Sequence, residues 1–187
     1  DINEVNHELL NSLFMTITNA NFDGPKLIDQ INKMINLRES LKKEIASLEF
    51  SDAAMFTYTN DESMQEKAKS IGVLSTENED IRSLREMVVY GLKGIAAYTE
   101  HALNGGKENM EIYRFIYEAL YLTTTEMSVE DLVALVMKTG EHGVMAMALL
   151  DDANTTKYGH PEITTVDIGV RSNPGILISG HDLTDLE

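Results

Sequence analysis

Apolar residues recur three and four positions apart through roughly the first 155 residues, the spacing of amphipathic helices. Leu9, Leu10, Leu13, Phe14 and Ile17 share one helical face that runs out near Asn19-Ala20-Asn21. Asp23-Gly24-Pro25 is a start signal, with Pro25 near the first helical position. From there Leu27, Ile31, Met34, Leu41, Ile45 and Leu48 predict a long helix with a narrow apolar stripe, as in bundles. Ser51 to Asn60 reads as a loop anchored by Phe56 and Tyr58, and Asp61 to Ser70 as a short polar helix closed by Gly72. Thr76-Glu77-Asn78-Glu79 matches a capping box. The helix behind it carries Ile81, Leu84, Met87, Val88, Leu92, Ile95 and Tyr98 and ends at Gly105-Gly106. Gly91, Gly94, Ala96 and Ala97 run along it. A glycine inside a helix costs about 1 kcal/mol relative to Ala, which predicts close approach of a second helix and puts this one at the bundle's centre. Glu108 to Thr124 predicts another helix, with Ile112, Phe115, Ile116, Ala119 and Leu120 inward. Ser128-Val-Glu-Asp131 opens the next, which packs Leu132, Leu135 and Val136 and stops near Gly140. Val144 to Leu150 is nearly all apolar and predicts a short buried helix.

The texture then changes. Asp151 to Pro161 has loop chemistry, Val166 to Val170 is a strand candidate, and Ile176 to Ser179 a stronger one. Ser179-Gly180 permits a tight bend. Asp182, Asp185 and Glu187 load acid into what reads as the first turn of a helix starting at His181, where the helix dipole favours it. The expected fold is mainly α: a helical bundle over residues 1–165, and over 166–187 the truncated start of an α/β domain, with its first strand or strands.

Composition narrows the function classes. The chain has 187 residues, 43% of them hydrophobic, enough for a real core. No run of 18 or more apolar residues occurs, so no transmembrane helix is expected. The start Asp1-Ile-Asn-Glu has no signal-peptide pattern. A net charge of -16 makes nucleic acid and anionic membranes poor partners. There is no cysteine, hence no disulfide, thiolate nucleophile or all-thiolate metal site, and a reducing cytoplasmic location is compatible.

Five histidines invite a metal reading. His101 and His142 lie on different helices, neither with a second ligand at i+3 or i+4, and no H-E-x-x-H occurs. Glu141-His142 falls at an expected helix junction, His7 at a terminus and His160 in a loop, so surface or core-edge roles account for all four. Di-iron bundles need Glu-x-x-His on two helices, and Glu100-His101 has the wrong spacing. Gly91-Leu-Lys-Gly94 lacks the length and the Ser/Thr of a phosphate loop. Met137, Met145 and Met147 read as core, and Gly140, Gly143, Ala146 and Ala148 as tight packing. His181 differs by position. It follows a strand and a Gly bend, where α/β folds place ligands, and precedes Asp182.

Four blocks carry a resemblance. They are Thr16 to Asn21, Ser75 to Glu86 running into Gly91 to Ala102, Ala148 to Gly159 with Pro161-Glu-Ile163, and Asn173-Pro-Gly-Ile-Leu-Ile-Ser-Gly-His-Asp-Leu183. Together, in order, they resemble the hybrid-cluster protein family, also called prismane proteins or hydroxylamine reductases. The resemblance implies an N-terminal helical domain followed by two α/β domains. It implies two cofactors in the parent: an iron-sulfur cubane and a hybrid iron-sulfur-oxygen cluster. His181 matches the histidine ligand of the hybrid cluster, so it is the one expected metal and cofactor ligand here. The cubane cysteines would precede Asp1 and the other ligands would follow Glu187, which implies that this piece alone binds no cluster and is inactive. The implied reaction is two-electron reduction of hydroxylamine to ammonia, or a related nitric oxide reduction, with a small N-O substrate and an electron donor as partners. The helical piece would shield the clusters and contact a redox or subunit partner.

A free-standing helical binding or scaffold module is the competing class. It should not end in a strand and an unfinished helix, and it should tolerate loss of residues 172–187. A truncated domain would instead expose Ile176 to Ile178 and self-associate through that strand. A histidine-based hydrolase would need a second ligand near His181, and none has credible spacing.

Overall fold

The computed structural model describes residues 2–44 and 51–180. These form seven α-helices: α1 (Ile2–Met15), α2 (Gly24–Lys42), α3 (Asp52–Met55), α4 (Asp61–Ile71), α5 (Glu79–Asn104), α6 (Met110–Thr123) and α7 (Val129–Tyr158). Short 3-10 turns at Asn19–Phe22 and Val73–Ser75 join them. The expected mainly α bundle is what forms.

Side-chain caps set most of the starts. Asp23 accepts from the Lys26 N–H at 3.2 Å to open α2. Asn60 and Ser63 make a reciprocal capping box on α4. Asn109 opens α6 and Ser128 opens α7, each accepting a first-turn N–H. The cap of α5 is Asn78, whose side-chain oxygen takes the N–H groups of Asp80 and Ile81 at 3.0 and 3.1 Å. The expected box starting at Thr76 does not form. Thr76 lies two residues too early, and it instead accepts hydrogen bonds from Arg82 and Arg85. At the far end of α5, Lys107 N–H reaches the Ala102 carbonyl and Gly106 N–H the Leu103 carbonyl, with Gly106 at φ 81°. This is a Schellman stop, and it turns the chain into α6.

α5 packs most extensively against α7 and next against α1, while α6 touches both α5 and α7. Leu10, Val88, Leu92, Ile112, Ile116 and Leu132 are fully buried between them. The central place of α5 follows from its small residues: a Cβ on Gly91 would lie 2.4 Å from Thr139 Cγ2 of α7, so only glycine permits this approach. α2 is peripheral, with no fully buried side chain. The expected loop 51–60 contains the single turn of α3, and the Phe56 and Tyr58 rings stack at 6.4 Å.

Three expectations need correction. The helix after Ser128 does not stop near Gly140. It continues unbroken to Tyr158, taking in both the expected short helix 144–150 and much of the expected loop 151–161. Packing along α5, which buries Leu135, Thr139, Ala146 and Ala153, outweighs the propensity cost of two glycines. Nor is its apolar content all core: Met137 is 65% exposed and Val144 62%. Residues 159–180 form no strand and are exposed throughout. A strand exists through ladder hydrogen bonds to a neighbour, and the described residues supply none at 166–170 or 176–179. The C-terminal part of the long helix expected through Leu48, and the helix expected from His181, lie outside the described residues. By length and composition α7 is the one described helix that could cross a membrane, and it lies along α5 as a bundle helix.

Candidate functional site

His181, the one expected ligand, lies outside the described residues. The other four histidines are not brought together. His142, within α7 rather than at a junction, stacks on Phe115 at 3.8 Å and hydrogen-bonds through Nδ1 to the Lys138 carbonyl at 2.8 Å. His101 meets the Phe14 ring edge-on at 5.3 Å. His160 is exposed beyond α7. Their roles are those of core-edge and surface residues. Among the described residues no group of three His, Cys, Asp or Glu side chains could hold a metal ion.

One polar network stands out, between α1, α5 and the start of α6. His7 on α1 places Nε2 3.1 Å from Glu108 Oε2, and the Tyr113 hydroxyl donates to the same oxygen at 3.0 Å. One turn along α6, Tyr117 donates to Asn6 Oδ1 at 3.0 Å, and Asn6 is 1% exposed. The hydrogen bond from His7, with that from Tyr113, holds the Glu108 carboxyl below the usual glutamate range despite some burial. Burial and the neighbouring Glu108 push the Tyr113 phenol well up, so it stays a donor. Glu100 behaves oppositely to Glu108. Burial pushes its carboxyl up against the pull of His7 and His101, and its Oε2 is buried without a hydrogen-bond partner among the described residues. Glu8, on the same side, is pushed up by burial, but hydrogen bonds from Lys33 and Gln30 outweigh this and hold it low.

Its hydrogen bonds tie α1 to α6 through Tyr117 and Asn6, and to the turn before α6 through His7 and Glu108. Sequence reasoning missed it. Asn6 and Tyr117 are 111 positions apart, and neither carries a local motif. The only signal was a polar residue in register with Leu9, Leu10 and Leu13.

A metal cluster is a different matter. Iron-sulfur clusters are held chiefly by thiolates, and the chain has no cysteine. The residues described do not fit such a group.

Comparison with known proteins places the chain. Residues 2–187 match the model of the Prismane/CO dehydrogenase family, and the chain belongs to that family. It is 61% identical over its full length to a protein named hydroxylamine reductase from Acetivibrio thermocellus, covering 34% of that protein. It is 51% identical to proteins of the same name from Clostridium perfringens and Bacteroides fragilis, where 98% and 96% of the chain align with 35% and 33% of theirs. The chain thus spans about a third of the length of the curated relatives it matches.

Proposed function

We propose that this chain is the helical domain of an iron-sulfur redox enzyme that reduces hydroxylamine to ammonia. In that reaction the N–O bond breaks, two electrons and two protons enter, and ammonia and water leave. The electrons come from a redox donor bound by the parent, and related reduction of nitric oxide belongs to the same class. The observation that carries the reading is the 61% identity, unbroken over all 187 residues, to a third of a protein of that name.

Within this reading the helical domain extends to about residue 165, and residues 166–187 begin the next domain. His181 is one ligand of the parent's hybrid cluster, a role carried by the resemblance of the Ser179-Gly180-His181-Asp182 block. The chain alone holds no cluster and has no turnover, because thiolate ligands are absent from it. A cytoplasmic setting follows from the relatives' bacterial origin and the cluster chemistry, and the charge of -16 speaks against nucleic acid or an anionic membrane as partner.

The test is a chimera in which residues 1–187 replace the matching third of the Acetivibrio thermocellus relative, purified without oxygen. It should bind iron and convert hydroxylamine to ammonia with matching oxidation of a chemical reductant. His181→Ala in the chimera should lower both iron content and turnover. Stoichiometric iron on the isolated chain, or a folded and iron-replete chimera that leaves hydroxylamine untouched, would overturn the reading.

A further inference from the structure

An open apolar groove of about 390 Å³ runs between Gly91, Gly94 and Tyr98 of α5 and Gly140, Gly143 and Met147 of α7. No charged residue lines it. Met87 and Met147 on its rim are 56% and 48% exposed, and Tyr98 is 45% exposed. Gly91 is explained inside the fold by Thr139. The others are not: a Cβ built on Gly94, Gly140 or Gly143 meets nothing within 4 Å. Each of these mid-helix glycines costs helix stability relative to alanine, and no contact among the described residues requires the absence of a Cβ there. A missing Cβ is useful where another backbone comes close.

We propose that this groove seats an apolar helix from the part of the parent polypeptide outside these 187 residues, crossing α5 and α7 at the glycines. The proposal rests on the reading of the chain as one domain of a longer enzyme. The relatives are about three times as long as this chain, so two thirds of such a polypeptide remain to cover its faces. A covalently joined segment also meets the groove at high effective concentration. A second copy fits less well, since a two-fold contact through this face would set one concave groove against another. The occupant is therefore a ridge of aliphatic side chains with small residues at the crossing and no charge facing the groove.

The experiment compares the isolated chain with the chimera described above. Gly94→Leu and Gly143→Leu should leave the isolated chain helical by circular dichroism with an unchanged or higher thermal midpoint, because the groove has room. In the chimera the same substitutions should lower the midpoint by several degrees, the response of a packed contact. Independently of these variants, peroxide should oxidise Met87 and Met147 about tenfold more slowly in the chimera than in the isolated chain, the protection of a closed site. Equal oxidation rates, or a chimera indifferent to leucine at both positions, would overturn the proposal. So would an isolated chain that is dimeric by light scattering and made monomeric by Gly143→Leu, which would assign the groove to self-association. An active chimera with reactive methionines sinks the groove alone. A folded, methionine-protected chimera that does not reduce hydroxylamine sinks the function and leaves the groove standing.

Discussion

Gly91→Ala probes the contact on which the α5–α7 pair depends. A Cβ there would sit 2.4 Å from Thr139 Cγ2, where carbon atoms rest at about 3.5–4.0 Å. Thr139 cannot easily yield. It is 5% exposed, and its hydroxyl is tied to the Leu135 carbonyl at 2.8 Å. Either the helices separate slightly, an overpacking cost of about 1–3 kcal/mol, or Thr139 turns and forfeits a hydrogen bond, about 1 kcal/mol. Against this stands a propensity gain of about 1 kcal/mol for replacing a mid-helix glycine. Gly94→Ala collects the same gain without the clash, since nothing lies within 4 Å of its Cβ. In urea titrations followed by helical circular dichroism, Gly94→Ala should therefore be about 1 kcal/mol more stable than the unsubstituted chain. Gly91→Ala should fall about 1–3 kcal/mol below Gly94→Ala. Thr139→Ser removes Cγ2 but keeps the hydroxyl, so combining it with Gly91→Ala should recover much of the deficit. A Gly91→Ala chain as stable as Gly94→Ala, or a coupling to Thr139→Ser below about 0.5 kcal/mol, would refute the reasoning.

Four further outcomes follow from the polar groups. Tyr117→Phe leaves the buried Asn6 Oδ1 without its donor and should cost about 1–3 kcal/mol in the same titration. Ser128→Ala removes the N-cap of α7 and should cost about 1 kcal/mol, with Ser128→Asp close to neutral. For Glu100, whose folded carboxyl is raised by burial, the unfolded state releases its proton first, so the group's contribution is full below about pH 4, where unfolded glutamate titrates, and is lost as pH rises through the folded value. Glu100→Gln should thus help more at pH 7 than at pH 4. Glu108, held low, has the opposite sign: its contribution is lost as pH falls, and Glu108→Gln should hurt more at pH 7 than at pH 4. Identical pH profiles for the two variants would contradict the assignment of their environments.

Much of the bundle was legible because its signals are local. The starts at Asp23-Gly24-Pro25 and Ser128, the stop at Gly105-Gly106 and the apolar periodicity of α1, α5 and α6 each lie within one helix. Close approach to α5 was legible too, since costly glycines needed a reason, though the sequence did not separate Gly91, where the contact falls, from Gly94. The glycines of α7, Gly140 and Gly143, were harder to read. Both read as tight packing and Gly140 also as a stop, yet α7 stays helical through both as it packs along α5, a tertiary effect with no trace in the local sequence. The exposed positions of Met87, Tyr98 and Met137 were hidden for a similar cause, because periodicity marks an apolar face without saying what covers it. Asn6 and Tyr117 needed the fold to meet at all. His181 rests on the resemblance of its block, as no local rule distinguishes a cluster ligand from a capping histidine.

The unbroken course of α7 fixes a phase as well as a length. Its 30 residues span about 45 Å from the Ser128 cap to the exit at Gly159, where φ is 84°. Each residue added or removed in that span would advance the exit by about 1.5 Å and rotate it by about 100°. A single-residue insertion would thus point the following segment to another side of the bundle, whereas seven residues, close to two full turns, would nearly restore its heading. Length variation within α7 should accordingly be tolerated in steps of whole turns and rejected between them, because the helix keeps the direction in which the chain leaves the bundle.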